Sequence, residues 1–215
     1  MKIRLGVIGE EHAINILQEV IEEYDDYEVS IFIDNDETRT LNIIANHQQE
    51  VDAWLVFYQI NYLRIETWDK AQKPVYYIPY RGASFYKTLC TAIYQGFNID
   101  ELSIDTIPYY DITRGLDDMQ ITYNVINHLS DENADLPLDS YVTFHRELFK
   151  KGITKAAVTK SCYVKSLLEQ EGIPTFCIIP IRVTIRNILT LILSHFRIKN
   201  LQECQIAVQV FSFNL

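Results

Sequence analysis

A chain of 215 residues is long enough for one large α/β domain or two small ones. With 48% apolar and 22% charged residues it has the composition of a folded, soluble protein, and its net charge of −10 argues against binding of DNA or RNA by this chain and against docking on an anionic membrane. The four cysteines, Cys90, Cys162, Cys177 and Cys204, are widely spaced with no C-x-x-C pair, which predicts reduced thiols in a cytoplasm and neither a disulfide framework nor a zinc site.

The N-terminal segment MKIRLGVIGEEH is a strand and a turn, with too short an apolar run for a signal peptide. Residues 1–80 then alternate strands and helices. Ile3–Ile8 is predicted as a strand, and Ala13–Tyr24 as a helix with Ile14, Leu17, Ile21 and Tyr24 on one face. A strand at Val29–Ile33 ends at Asp34-Asn35-Asp36 and leads into a helix from about Thr38 to Gln48. The strand Ala53–Phe57, a helix around Leu63–Ala71 and the strand Val75–Ile78 follow. The strands are continuous apolar runs, as expected of a parallel sheet with helices on both faces. Pro79-Tyr80-Arg81-Gly82 reads as a hinge.

Beyond the hinge come a helix carrying Phe85, Leu89, Ala92, Ile93 and Phe97 and a strand at Leu102–Ile107. Helices are predicted at Thr113–Leu129 and, after the loop SDENADLP, at Leu138–Lys151. Two strands, Lys155–Val158 and Thr175–Ile179, and a long helix from Thr184 to about Phe196 complete the pattern. The longest apolar stretch, Ile185–Phe196, is interrupted by Arg186 and Asn187 and falls short of the ~20 residues that span a bilayer. The fold class expected is α/β: two Rossmann-like parallel-sheet lobes, residues 1–80 and 81–200, with a cleft between them. One continuous sheet is the rival arrangement. Residues 201–215 contain an alternating strand pattern at Gln205–Phe213, which either returns to pair with a lobe or opens a further domain of a longer regulator.

Residues 152–186 carry the clearest signal. The apolar run Ala156-Ala157-Val158 ends in the turn Thr159-Lys160-Ser161, with Ser161 at a helix N-cap position. Val164, Leu167 and Leu168 follow at helical spacing, Gly172 ends the helix, and Pro174 opens the next strand. Such a turn aims backbone N–H groups and a positive helix end at a small anion, though Ser161 equally serves as a simple cap. No G-x-x-x-x-G-K-[ST] is present, so a nucleoside triphosphate is not expected. Gly6 and Gly9 stand three apart and are followed by Glu10 and Glu11, whose carboxylates would repel a pyrophosphate; a tight turn is the better reading.

His145 falls on the apolar stripe Leu138, Tyr141, Val142, Leu148, Phe149 and so faces a core or a cleft wall. The five histidines show no metal-ligand spacing. Cys162 follows the turn, where a helix N-terminus lowers a thiol pKa, but its prospective catalytic partner, Cys90, lies mid-helix among apolar neighbours. Tyr58, Tyr76, Tyr77, Tyr80, Tyr109 and Tyr110 fall where strands end. With Arg81 and Arg182, which follow Pro79 and Pro180, they suggest a polar, aromatic cleft.

The segment GITKAAVTKSCYVKSLLEQEGIPTFCIIP, followed by VTIRNILTLIL, resembles the two-lobed α/β receptor domains at the N-terminus of bacterial transcriptional regulators of the propionate-catabolism activator type. The resemblance implies metabolite sensing, with Thr159, Lys160 and Ser161 near the ligand. It departs from that family in that no helix-turn-helix or ATPase module lies in this chain. The expectation is therefore a cytoplasmic, non-catalytic, homodimeric sensing domain for an anionic small molecule. Thr159, Lys160, Ser161, Arg81, Tyr80, Tyr109, His145 and Arg182 are its candidate ligand contacts, without cofactor, metal, membrane or nucleic-acid partner. The alternative is a racemase- or isomerase-like enzyme on the same fold using Cys162 or His145. A scaffold that dimerises through the Thr184–Phe196 helix is a third reading.

Overall fold

The computed structural model describes residues 2–34, 39–80, 82–129 and 136–203. Two four-stranded, all-parallel sheets are formed from successive parts of the chain. The first contains β1 (Ile3–Gly9), β2 (Tyr27–Ile33), β3 (Ala53–Val56) and β4 (Val75–Tyr77), in the order β2-β1-β3-β4. The second contains β5 (Leu102–Asp105), β6 (Asn127–Leu129), β7 (Ala156–Thr159) and β8 (Thr175–Cys177), in the order β6-β5-β7-β8. The two orders are the same when read along the chain. The two-lobed α/β architecture expected from the strand–helix rhythm is thus present, and the single continuous sheet is not formed among the described residues.

The helices of the first half are α1 (Glu11–Ile21), α2 (Thr40–His47) and α3 (Gln59–Glu66). Those that follow are α4 (Ala83–Tyr94), α5 (Tyr109–Asp118), α6 (Leu138–Lys150), α7 (Cys162–Gln170) and α8 (Arg182–Glu203). Alternation along each strand sorts side chains between two faces. In the first sheet Leu5, Val7, Ala53 and Leu55 face a central core, while Ile8, Trp54 and Val56 pack with Ile44 of α2 and Ile65 of α3. In the second sheet Leu102, Ile104, Ala156 and Val158 join that same central core, while Ala157 faces Tyr141, Val142, Val164 and Leu168 of α6 and α7. One core therefore runs through both lobes.

The chain crosses between the lobes twice. After β4 it passes through Ile78-Pro79-Tyr80 into α4, whose Phe85 and Tyr86 pack on Gly115 of α5 in the second lobe. Gly82, at φ +67°, turns the chain into α4 in a backbone region that glycine occupies without strain. After β8 the chain returns through Ile178–Ile181 into α8, which packs on α1 of the first lobe. There Ile185, Leu189 and Ile192 are buried at helical spacing. The two crossings touch: the backbone N–H of Ile181 donates to the Ser84 hydroxyl at 3.3 Å.

Two sequence expectations need correction or limit. The helix expected over Thr113–Leu129 ends at Asp118, and the chain then forms the edge strand β6. Gln120 adopts φ +55°, and the Asp100 carboxylate accepts the backbone N–H groups of Asn124 (2.7 Å) and Val125 (3.1 Å). Those donors are thereby committed to a loop, and the β-branched run Ile121, Thr122, Val125, Ile126 favours extension. The strand pattern at Gln205–Phe213 lies outside the described residues.

Candidate functional site

In an open parallel sheet, ligands bind beyond the carboxyl ends of the strands where the strand order reverses. Here those points are the ends of β1 and β3 in one lobe and of β5 and β7 in the other. They present Glu10 and Tyr58 from the first lobe, and Thr106 and the Thr159-Lys160-Ser161 turn from the second.

The turn is built as its sequence predicts. The Ser161 hydroxyl caps α7 by accepting the N–H of Val164 at 3.3 Å, and the Thr159 hydroxyl accepts the N–H of Ser161 at 3.2 Å. Thr159 is buried, whereas Lys160 and Ser161 are half-buried. Those two donors are taken within the turn, and the next residue, Cys162, lies beside the carboxyl of Glu10 from the opposite lobe. Glu10 is only 5% exposed, although it bears a carboxyl group. Its carboxyl pKa is raised above the ordinary value by burial. The Tyr58 hydroxyl, the thiol and backbone N–H of Cys162 and the nearby His12 lie close enough to offset part of that rise.

Glu10 owes this position to its neighbours. It precedes α1 with an extended backbone and makes no side-chain cap of that helix, so its carboxyl is free to cross the cleft. Gly9 and Gly6 lie within β1, and a Cβ on them would stand 2.3 Å from the Phe57 ring and 2.4 Å from the Trp54 ring. The two glycines are there to admit aromatic rings of β3 and the residue after it, rather than to form a phosphate-binding loop. Tyr58 stacks on Tyr80 with ring centroids 5.8 Å apart and planes at 8°, and both rings are buried. Tyr80 thus backs the Tyr58–Glu10 contact from the crossover segment.

The other candidates are dispersed. His145 is fully buried on the outer side of the second sheet. Its Nδ1 lies 2.7 Å from the Ser103 hydroxyl and its Nε2 lies 3.0 Å from Asp105, whose other oxygen accepts the Thr106 hydroxyl at 2.7 Å. Both ring nitrogens are therefore engaged by β5, and Asp105 and Thr106 stand between the imidazole and the strand end. Tyr109 opens α5, half exposed, with its ring 5.8 Å from that of His128. Arg182 lies on the surface of α8, ion-paired with Glu19 of α1. Arg81 lies outside the described residues.

Cys162 departs from its expectation. Its Sγ lies 3.1 Å from that of Cys177 at the end of β8, a partner that linear spacing did not suggest. The thiol is pushed up, not down: hydrogen bonding to Cys177 is the main cause, followed by burial and by the charges of Cys177 and Glu10. These outweigh the helix N-terminus, and a thiol held in this way is a poor nucleophile. Glu10 and Cys177 are the candidate residues that sequence reasoning passed over, whereas Tyr58 is among the strand-end tyrosines it named. Only the strand order could have selected Glu10.

Two surface hollows, of about 380 and 470 Å³, lie at the opposite, amino ends of the strands. One is lined by Asn98, Asp100 and Ile121, the other by Asp52, Pro74, Tyr76 and His195. Among the described residues, no helix is long and apolar enough to cross a membrane, and no cluster of three or more His, Cys, Asp or Glu is arranged to hold a metal ion.

No protein-family model matches the sequence, and no curated protein matches it either. Among solved structures, the chain is similar to the NtrC family transcriptional regulator from Clostridium acetobutylicum. The two share 15% identity, the match covers 93% of this chain and 99% of that one, and the TM-score is 0.64. Transcription regulator CcpA of Lactococcus lactis matches more loosely, at 13% identity over 80% of this chain and 74% of that one, with a TM-score of 0.46. The first of these comparisons shows that the two-lobed, parallel α/β fold described above is shared with a transcriptional regulator structure.

Proposed function

We propose that this chain is the small-molecule sensing domain of a bacterial transcriptional or signalling regulator, and that it binds an anionic metabolite at the cleft between its lobes. The observation that carries the reading is the Thr159-Lys160-Ser161 turn at the β7 strand end, directly opposite Glu10 and Tyr58. A carboxyl group of the protein already lies against the α7 N-terminus, where the partial positive charge of a helix end favours an anion. A metabolite carboxylate or phosphate takes the place of Glu10 there, next to the Lys160 ammonium, with Tyr80 behind the site. Tyr109 belongs to the rim of this proposed site, while His145 and Arg182 act from a distance, through Asp105 and through α8. Because α8 joins the two lobes, any change in their closure moves it, and a ligand shifts that equilibrium only by its differential affinity for the two states.

The raised thiol pKa of Cys162 and the burial of His145 weigh against the enzyme alternative. A thermal-shift screen of small carboxylates, sugars, sugar phosphates and nucleotides tests the sensing proposal. A ligand present at about a hundred times its Kd stabilises the fold by ~2.7 kcal/mol. The expected result is a raised melting temperature with an anionic compound, lost in Lys160→Ala. The absence of stabilisation by any compound, with Lys160→Ala melting as the wild type does in their presence, rejects it.

A further inference from the structure

We propose that Cys162 and Cys177 form a reversible dithiol–disulfide pair, a redox modification site beside the cleft. The two Sγ atoms are 3.1 Å apart, and a disulfide bond of ~2.05 Å needs them to approach by only about 1 Å. The residues sit on separate elements, Cys162 at the first position of α7 and Cys177 at the last position of β8, so the bond would staple a helix to the edge of its sheet. Both are half-buried, whereas Cys90 is exposed on α4. The Cys177 sulfur also faces the Lys160 carbonyl oxygen at 3.6 Å, which ties the pair to the Thr159-Lys160-Ser161 turn.

The reaction is thiol–disulfide exchange with a low-molecular-weight disulfide such as oxidised glutathione. Cys177 attacks one sulfur of the oxidant, forming a mixed disulfide and releasing one glutathione thiol. Cys162 then attacks the Cys177 sulfur, the Cys162–Cys177 bond forms, and the second glutathione leaves. Two electrons pass from the protein to the oxidant, and the two thiol protons pass to the two departing thiolates. Either thiol can open the exchange; with Cys177 capped, Cys162 stands 3.1 Å from its sulfur and is placed to resolve the mixed disulfide. Oxidation also removes the Cys162 S–H that meets Glu10 across the cleft, so the contact between lobes senses the state of the pair.

The test is to equilibrate the chain in glutathione buffers from reducing to oxidising, quench with acid, alkylate and map the peptides by mass spectrometry. The expected result is that Cys162 and Cys177 lose alkylation together, in one crosslinked peptide pair lighter by two hydrogen atoms, while Cys90 carries an alkyl group or a single glutathione and enters no crosslink. In Cys162→Ser, Cys177 is expected to stop at the mixed disulfide with glutathione. The proposal is overturned if Cys162 and Cys177 remain alkylatable or stop at separate mixed disulfides in the most oxidising buffer, or if oxidation joins either of them to Cys90 or Cys204 instead. The wild-type map decides this even if the serine variant does not fold. No ligand enters the measurement, so its failure is separate from any failure of the sensing proposal.

Discussion

The carboxyl of Glu10, immediately after β1, meets the backbone N–H and thiol of Cys162, the first residue of α7 in the other lobe. A residue of one sheet thereby occupies the helix end that the other sheet presents. The contact is polar and buried, and it lies where the strand order of each sheet reverses.

Glu10 makes the stability of the fold depend on pH. Its carboxyl binds a proton more tightly in the folded chain than in the unfolded one. The stability it contributes is therefore fully present below the ordinary value of 4.5 and is lost as pH rises through the raised folded value. Glu10→Gln keeps a neutral hydrogen-bonding group and removes that loss. Its melting temperature is expected to exceed that of the wild type by roughly 2–4 °C at pH 7, with the gap closing by pH 4. A gap that does not change with pH counts against this account; calorimetry at a series of pH values measures it.

Gly9 admits the Phe57 ring where a Cβ would stand 2.3 Å away, and the ring cannot retreat because Phe57 is fully buried. Gly9→Ala is expected to cost about 1–3 kcal/mol in urea unfolding through overpacking. Gly152→Ala is destabilised for a different reason. Nothing lies within 4 Å of a Cβ there, but the backbone is at φ +68°, so its cost is the smaller one of the left-handed region.

Asp105 and His145 form a pair with no exposed surface, bridged to Ser103 and Thr106. Asp105→Ala leaves Nε2 of the imidazole without its partner in a place water does not reach. The expected loss is at least ~2 kcal/mol of stability by chemical denaturation. His145→Phe leaves the buried Asp105 carboxyl and the Ser103 hydroxyl without their imidazole partner, so it is expected to lose at least as much as Asp105→Ala.

Helix α8 holds the lobes together. Ile185, Leu189 and Ile192 are fully buried against the first lobe, and the Tyr27 hydroxyl donates to the Leu189 carbonyl at 2.5 Å. Burial pushes the Tyr27 hydroxyl well above the ordinary tyrosine pKa, so it remains a donor across the working pH range. At ~1.5–3 kcal/mol for each buried side chain, the three aliphatic residues alone contribute as much as the net stability of many domains. A chain ended at Ile181 is therefore expected not to fold cooperatively, as circular dichroism during thermal unfolding will report. Tyr27→Phe is expected to fold with a loss of about 1 kcal/mol. The surface ion pairs Arg182–Glu19 and Arg186–Glu23 contribute little by comparison, since both are exposed to solvent and salt.

The strands and most of the helices were legible in the residues because apolar periodicity is a local property, and so was the Ser161 cap, whose donor lies three residues away. The edge strand β6 was not, because Asp100, more than twenty residues earlier, supplies the acceptors that stop the helix pattern after Asp118. Nor was the return of α8 to the first lobe. Its apolar stripe declares that it is buried, but not on which sheet.

What the sequence by itself determined was the α/β class, the parallel strands and the capped turn at Thr159-Lys160-Ser161, each written in neighbouring residues. What only the tertiary structure decided was what faces that turn. Glu10 and Cys162 are separated by some 150 positions, as read from their numbers, and Cys162 and Cys177 by a whole helix and strand turn. Such pairs meet because two identical strand orders place their reversal points opposite one another, a consequence of packing across the chain that no local pattern encodes.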